Sequence, residues 1–267
     1  MYEKHYNFKE NPFNLTPDSR YFYPSEKHQE TLDNLIYAIN ERKGFVVITG
    51  EIGSGKTTVC RTLLNRLDSR IKASLILNTH LTSKELIAAI LEDLGEEPKK
   101  GTKAKLLNQL NRFLLEELSH DNNIVLLIDE AQNLSSRVLE EIRMLSNLET
   151  EREKLIQIIL VGQPELRDKL RHRSMEQFKQ RIALQYHLAP LTEEETGEYI
   201  KHRISRASTN GCEIFTPEAL DKIYDYSKGI PRLINSLCDR ALLNGFIANK
   251  DKVDVDIIEE SIKEKEI

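Results

Sequence analysis

Three glycines come directly before a lysine and a threonine in this sequence, at Gly50, Gly53, Gly55, Lys56 and Thr57. Glycines let a backbone turn tightly and approach phosphate oxygens without a Cβ collision. Successive N–H groups then form an anion nest at the positive end of the following helix. Lys56 supplies a positive charge for the β- and γ-phosphates, and Thr57 a hydroxyl for Mg²⁺. The segment therefore predicts that the chain binds ATP with Mg²⁺.

The predicted nucleotide-binding loop extends one residue further. It consists of Gly50, Glu51, Ile52, Gly53, Ser54, Gly55, Lys56, Thr57 and Thr58. An apolar segment, residues 45–49, precedes the loop, and a helical pattern follows it, as the motif requires.

Two acidic residues, Asp129 and Glu130, follow the apolar run 124–128. A strand of this kind places them at the carboxyl edge of a sheet, where open α/β folds bind ligands. Asp129 is then expected to hold Mg²⁺ opposite Thr57, and Glu130 to act as general base on the attacking water. An acidic pair alone also fits a solvated strand end. Beside a phosphate loop, the pair favours hydrolysis over binding alone.

Three further polar residues are candidates for catalysis. Gln163 follows the apolar run 156–161 and can orient the water, although a glutamine before a helix starting at Pro164 is the alternative. Arg181 can reach a neighbouring subunit's nucleotide, and Arg232 opens a later helix and can approach the phosphates of its own chain. A single arginine in a charged stretch is more often only solvated.

Short apolar runs alternate with helical patterns up to about residue 190. The predicted strands are residues 45–49, 73–77, 124–128, 156–161 and 184–188. The predicted helices between and before them are residues 25–42, 56–67, 83–94, 103–118 and 135–148. This alternation indicates a parallel sheet covered by helices on both faces, which is a three-layer α/β core.

After Pro190 only helices are predicted, at residues 192–206, 216–227, 231–249 and 255–263. We therefore divide the chain into an α/β nucleotide-binding core with an N-terminal arm, residues 1–190, and a helical domain, residues 191–267. The arm is rich in aromatic residues and proline, which predicts an irregular but structured segment.

Composition excludes several classes of protein. The 267 residues carry a net charge of −5, which disfavours a globally basic nucleic-acid binder, although residues 167–181 are locally basic. No apolar run is long enough to cross a bilayer, and the N-terminus lacks a secretory signal pattern. Cys60, Cys212 and Cys238 show no metal-ligand spacing and are expected to be inert. The cytoplasm is the expected location.

The quoted residues resemble the AAA+ ATPases. The motifs are Gly-Glu-Ile-Gly-Ser-Gly-Lys-Thr-Thr at 50–58, Asp-Glu-Ala-Gln at 129–132, Val-Gly-Gln-Pro-Glu-Leu at 161–166, Gln-Arg-Ile at 180–182 and Gly-Ile-Pro-Arg at 229–232. The resemblance is closest to the general secretion pathway protein A group, and TniB-type transposition ATPases share most of these motifs.

The resemblance implies a P-loop AAA+ core with a five-stranded parallel sheet, followed by a small helical lid. It assigns Lys56 and Thr57 to Walker A, and Asp129 and Glu130 to Walker B. By the same resemblance, Gln163 is sensor 1, Arg181 is the arginine finger that acts on the next subunit, and Arg232 is sensor 2.

The expected function is an ATPase that drives oligomer or conformational changes and assists assembly of an envelope secretion or export apparatus. The expected partners are further copies of the chain and an inner-membrane or secretion-system protein. The alternative is a DNA-associated regulator of the TniB type, suggested by the basic residues 167–181. A nucleotide-gated scaffold without hydrolysis is a third hypothesis. Members of the group often continue into a membrane span and a peptidoglycan-binding domain, and this sequence shows neither.

Overall fold

The computed structural model describes residues 1–151, 153–208 and 213–264. Cys212, expected to be inert, lies outside them. The described strands are β1 (Phe45–Gly50), β2 (Ile71–Ile76), β3 (Asn123–Ile128), β4 (Gln157–Gly162) and β5 (Ile182–Leu188). The helices up to β5 are α1 (Tyr2–His5), α2 (Glu26–Asn40), α3 (Lys56–Arg66), α4 (Ser83–Asp93), α5 (Lys103–Ser119), α6 (Ser136–Leu145), α7 (Pro164–Arg171) and α8 (Glu176–Lys179). The later helices are α9 (Glu193–Ala207), α10 (Pro217–Ser227), α11 (Pro231–Ile247) and α12 (Val255–Lys263).

The chain forms two compact units. The sheet unit comprises Glu30–Gly50 and Thr62–Leu188. The helical unit comprises Met1–Gln29, Glu51–Arg61 and Ala189–Ile267. The predicted functional division into a core of residues 1–190 and a lid of residues 191–267 stays a prediction.

The five described strands of the sheet unit are all parallel, in the order β2-β3-β4-β1-β5. The three inner strands, β3, β4 and β1, are buried along their whole length. Strands buried on both faces read as continuous apolar runs, which is why the sequence located them within about one or two residues. The predicted five-stranded parallel sheet followed by a helical region is confirmed.

The two edge strands extend beyond their predicted bounds. β2 begins at Ile71 rather than at residue 73, and β5 begins at Ile182 rather than at residue 184. Residues along β5 alternate between half-buried and exposed positions, and β2 is also only partly buried. An edge strand covered on one side lacks a continuous apolar run, so its first residues give a weak signal.

A large hydrophobic core of the sheet unit contains side chains of β1, β3 and β4 together with α4, α5, α6, α7 and α8. Burying strand and helix side chains together supplies the apolar stabilisation that holds the strand ends in register. The sheet unit therefore provides a rigid edge on which polar side chains can be positioned.

The helical unit has its own core, in which aromatic side chains of the N-terminal arm pack with α9 to α12. The arm residues in this core are Tyr2, Tyr6, Phe8, Phe13 and Tyr21. Thr192 and Glu195 form a capping box at the start of α9, and Thr216 caps α10 directly before Pro217. The arm is thus an integral part of this unit. Among the described residues, no helix combines the length and apolar character that crossing a membrane requires.

Candidate nucleotide-binding site

The glycine loop of the helical unit ends where α3 begins, at Lys56. Gly53 has φ +81° and Gly55 has φ +96°, values that favour glycine over residues with a Cβ. The side chain of Lys56 is buried to 6% exposure, and its Nζ donates a hydrogen bond to the carbonyl oxygen of Glu51 at 2.8 Å. The Lys56 side chain therefore packs against the glycine loop that precedes it in the chain. Thr57 and Thr58 occupy the first turn of α3 and are half-buried.

Arg232 lies against this loop. Its backbone N–H donates to the carbonyl oxygen of Gly53 at 3.2 Å, and a Cβ placed on Gly53 would lie 2.5 Å from the Cβ of Arg232. Pro231 is the first residue of α11, so Arg232 stands in the first turn of that helix. Its side chain is exposed. The structure thus brings together the loop and an arginine that are about 180 residues apart in the sequence numbering.

His28 is a second contact of the loop. Its Nε2 lies 2.9 Å from the carbonyl oxygen of Ser54, and its Nδ1 lies 2.7 Å from the hydroxyl of Ser25. A carbonyl only accepts, so Nε2 carries a proton, and in the neutral ring Nδ1 then accepts from the hydroxyl of Ser25. Burial lowers the pKa of His28, against opposing effects of the Ser54 carbonyl and Glu195. A Cβ on Gly55 would lie 2.9 Å from Nε2, so the ring fits only beside a glycine.

In the sheet unit, β4 lies between β1 and β3, and the carboxyl ends of all three strands meet at one edge. Asp129 follows β3 and is 4% exposed, and its Oδ1 accepts the backbone N–H of Glu130 at 2.8 Å. Glu130 adopts the left-handed conformation, with φ 52° and ψ 35°. That backbone geometry turns the chain sharply at the strand end.

Two amides hold the Glu130 carboxylate. Nε2 of Gln132 donates to its Oε2 at 2.5 Å, and Nε2 of Gln163 donates to the same oxygen at 3.2 Å. Oε1 of Gln132 accepts the backbone N–H of Gln163 at 3.0 Å. Glu130 after β3 and Gln163 after β4 are therefore in direct contact, and Gln132 joins the two.

Arg181 is exposed and immediately precedes β5, so it lies at the amino edge of the sheet. β5 has seven residues. At about 3.3 Å per residue, Arg181 lies on the order of 20 Å from the carboxyl edge that carries Glu130 and Gln163. The structure does not bring this arginine together with Asp129 and Glu130 of its own chain.

Sequence reasoning missed two residues of this arrangement. Gln132 lies in the quoted segment 129–132 without a predicted role, and His28 is not among the predicted site residues. The available signal for His28 was a serine three residues earlier, a spacing typical of helix starts. No spacing in the sequence indicates that His28 lies beside Ser54. Cys60 and Cys238 are buried, and burial raises the pKa of the Cys238 thiol, which fits the expectation of inert cysteines.

The donor chemistry of each unit fits its predicted share of a Mg²⁺–ATP complex. The helical unit offers a glycine cradle with no room for a Cβ at Gly53, and the hydroxyl of Thr57. The sheet unit offers the buried carboxylate of Asp129. Mg²⁺ prefers oxygen ligands and binds through one or two protein groups plus phosphates, so it does not need the three-ligand protein cluster that the described residues lack.

Residues 39–170 match the AAA domain family model. The chain is 43% identical over 95% of its length to general secretion pathway protein A of Aeromonas hydrophila, of which it covers 46%. It is 23% identical over 86% of its length to an uncharacterized HTH-type transcriptional regulator of Methanocaldococcus jannaschii, of which it covers 58%. The chain thus spans about half the length of the curated relatives that it matches.

Solved AAA+ structures share the fold. The Aeropyrum pernix ORC2 protein superposes with a TM-score of 0.70 at 15% identity, over 96% of this chain and 72% of that one. Drosophila ORC bound to DNA gives 0.72 at 16% identity, over 97% and 67%. The Thermotoga maritima RuvB branch migration motor gives 0.62 at 19% identity, over 90% and 68%. With the AAA domain match and the long alignment to general secretion pathway protein A, these similarities show that the chain has the P-loop AAA+ fold.

Proposed function

We propose that this chain binds Mg²⁺–ATP and hydrolyses it to ADP and phosphate. The observation that carries the proposal is the amide-held carboxylate of Glu130, which contacts Gln163 at the edge where β1, β4 and β3 end. A carboxylate fixed at this edge suits the activation of a water molecule for attack on a γ-phosphate. The phosphate loop directly follows β1 in the chain, as the family motif requires.

Each residue has a distinct proposed role. The loop 50–58 binds the phosphates through backbone N–H groups, and Lys56 and Arg232 add positive charge to them. Thr57 and Asp129 hold Mg²⁺, which neutralises phosphate charge when it is bound. Glu130 accepts the proton of the attacking water, and Gln163 orients that water. The adenine is expected beside arm residues 12–23.

Two substitutions test this scheme in the full chain. Lys56→Ala should abolish ATP binding, measured by titration with a fluorescent ATP analogue, whereas the exposed Lys84→Ala should bind normally. Glu130→Gln should bind ATP like the wild type but release phosphate at least about a hundredfold more slowly. The exposed Glu116→Gln is its matched control. Full turnover by Glu130→Gln would refute the proposed base, and normal binding by Lys56→Ala would refute the proposed site.

The distance of Arg181 from Glu130 supports a role on a second subunit. We assign Arg181 to the nucleotide of a neighbouring copy in a homo-oligomer. Arg181 lies at the amino edge of the sheet, whereas Glu130 and Gln163 of the same chain lie at the carboxyl edge. Turnover per subunit should then rise with protein concentration. Arg181→Ala should lose that rise while retaining ATP binding, and the exposed Arg112→Ala should keep it. Concentration-independent turnover in the wild type would exclude this role.

The similarity to general secretion pathway protein A supports a role in assembling an envelope secretion or export apparatus, with a cytoplasmic motor and an inner-membrane or secretion-system partner. In the native host, replacing the gene by the Glu130→Gln allele should leave protein levels unchanged and reduce the protein exported to the medium. If export in that strain is normal while the purified variant has no ATP turnover, ATP hydrolysis has no role in export.

A DNA-associated function of the TniB type is the second candidate. Four basic side chains of residues 167–181 are exposed, at Arg171, Arg173, Lys179 and Arg181. Binding through such groups weakens steeply with salt. Duplex DNA at low salt should stimulate phosphate release if this function is correct, and Arg171→Ala with Arg173→Ala should remove the stimulation. An unchanged rate with DNA would eliminate it.

A further inference from the structure

The side chain of Gln132 contacts both residues proposed to act on the attacking water. Its Nε2 donates to Oε2 of Glu130, and its Oε1 accepts the N–H of Gln163. One amide group therefore spans the ends of β3 and β4. Since Gln163 also donates to Oε2, the three residues form a closed ring of hydrogen bonds.

The surroundings fix Gln132 from two sides. Nζ of Lys169 donates to the carbonyl oxygens of Gln132 at 2.6 Å and Leu134 at 2.8 Å, which holds the main chain of the turn. At β4, a Cβ on Gly162 would lie 2.8 Å from Oε1 of Gln132. The absence of a side chain at Gly162 therefore leaves space for the Gln132 amide, which is restrained by both packing and hydrogen bonds.

The ring leaves the two oxygens of Glu130 in different situations. Oε2 accepts two N–H donors, while none of the described residues donates to Oε1. An amide that engages one oxygen prevents rotation of the carboxylate and orients the other oxygen. A general base needs this orientation, because the proton that it accepts must lie on the line to the attacking water.

We propose that Gln132 is a positioning residue for ATP hydrolysis, which fixes the Glu130 carboxylate and couples it to Gln163. This inference rests on the proposed role of Glu130 as general base. Gln132 contacts no predicted nucleotide ligand of the sheet unit, so its loss should affect the chemical step and leave nucleotide affinity unchanged.

The test compares three variants of the full chain by steady-state phosphate release and by titration with a fluorescent ATP analogue. Gln132→Ala should lower kcat at least about tenfold, with KM and nucleotide affinity within about twofold of the wild type. Gln132→Glu keeps the shape but replaces the N–H donor by a carboxylate facing Glu130, so it should be slower than Gln132→Ala. The exposed Gln177→Ala should match the wild type.

Coupling to Gln163 gives an independent measurement. In a double-mutant cycle, Gln132→Ala should cost less in a Gln163→Ala background than in the wild type, because one of the three hydrogen bonds of the ring is already lost. If Gln132→Glu is harmless while Gln132→Ala is slow, the side chain only fills space and the proposal is overturned. Additive effects of the two alanine substitutions would overturn the coupling.

Glu130→Gln, assayed beside these variants, separates the two proposals. If Glu130→Gln still turns over at the wild-type rate, the base assignment fails and this inference fails with it. If Glu130→Gln stops turnover while Gln132→Ala does not slow it, the base stands and Gln132 has no positioning role. Thermal melting of each variant identifies loss of folding. If Gln132→Ala does not fold, the turnover of the isosteric Gln132→Glu decides the test.

Discussion

Arg232 donates its backbone N–H to the carbonyl oxygen of Gly53, and the two residues approach so closely that a Cβ on Gly53 would lie 2.5 Å from that of Arg232. This contact fixes the first turn of α11 against the phosphate loop. A glycine at position 53 is therefore required for two reasons. Its φ of +81° disfavours residues with a Cβ, and α11 leaves no space for a side chain.

Gly53→Ala should accordingly destabilise the loop and weaken ATP binding at least about tenfold, because the loop must shift away from Arg232. Gly95→Ala is the matched control, since Gly95 also has positive φ, +87°, but no atom lies within 4 Å of the added Cβ. It should cost about 1 kcal/mol of unfolding free energy from backbone strain alone and leave binding unchanged. Equal binding by both variants would show that the contact with Arg232 does not shape the loop.

The burial of His28 predicts a pH-dependent stability. Burial lowers the pKa of His28 in the folded chain below the ordinary value of about 6.5. Between about pH 6.5 and that lower pKa the unfolded chain binds a proton that the folded chain does not, so the free energy of unfolding should fall as pH falls. His28→Gln should remove this contribution to the pH-dependent decrease in the free energy of unfolding. His80→Gln, at an exposed site, should show the same decrease as the wild type. Parallel pH curves for wild type and His28→Gln would contradict this assignment.

Arg203 of α9 should hold the N-terminal arm in the helical unit. Its buried guanidinium donates to the carbonyl oxygens of Pro12 and Asn14 and lies 4.7 Å above the ring of Tyr21. Arg203→Met should lower the free energy of unfolding by about 2–4 kcal/mol, because the carbonyls of Pro12 and Asn14 and the ring of Tyr21 lose a charged partner. Limited proteolysis should then cleave within residues 1–24.

Arg206 lies on the same helix but is exposed, so Arg206→Met is the control and should change stability by less than about 0.5 kcal/mol. Identical proteolysis of the Arg203 and Arg206 variants would mean that the aromatic side chains alone retain the arm.

Gly162→Ala should slow hydrolysis by displacing Gln132. The added Cβ would lie 2.8 Å from Oε1 of Gln132 and 2.9 Å from Cδ2 of Leu166. We expect kcat to fall about tenfold with ATP affinity retained, as for direct removal of the amide. Gly197→Ala, in the interior of α9 with its nearest atom at 3.9 Å, should instead stabilise the chain by about 0.5–1 kcal/mol. Unchanged kcat for Gly162→Ala would show that the Gln132 amide tolerates displacement.

The sequence by itself determined the phosphate loop, the acidic pair and the inner strands. Each is a local pattern: glycines before Lys56, carboxylates after a run of apolar residues, and strands buried on both faces. Such patterns follow from backbone geometry and burial within a few consecutive residues, and they need no knowledge of distant partners.

Only the tertiary structure decided which of these residues meet. The pairing of β4 between β1 and β3 brings Gln163 to Glu130, and helix packing brings Arg232 to Gly53 and His28 to Ser54. These contacts join residues tens to hundreds of positions apart, and they depend on strand order and on the absence of a Cβ at single glycines. The role of Gln132 depends on the same geometry, because nothing in its own neighbourhood of the sequence indicates that its amide spans two strand ends.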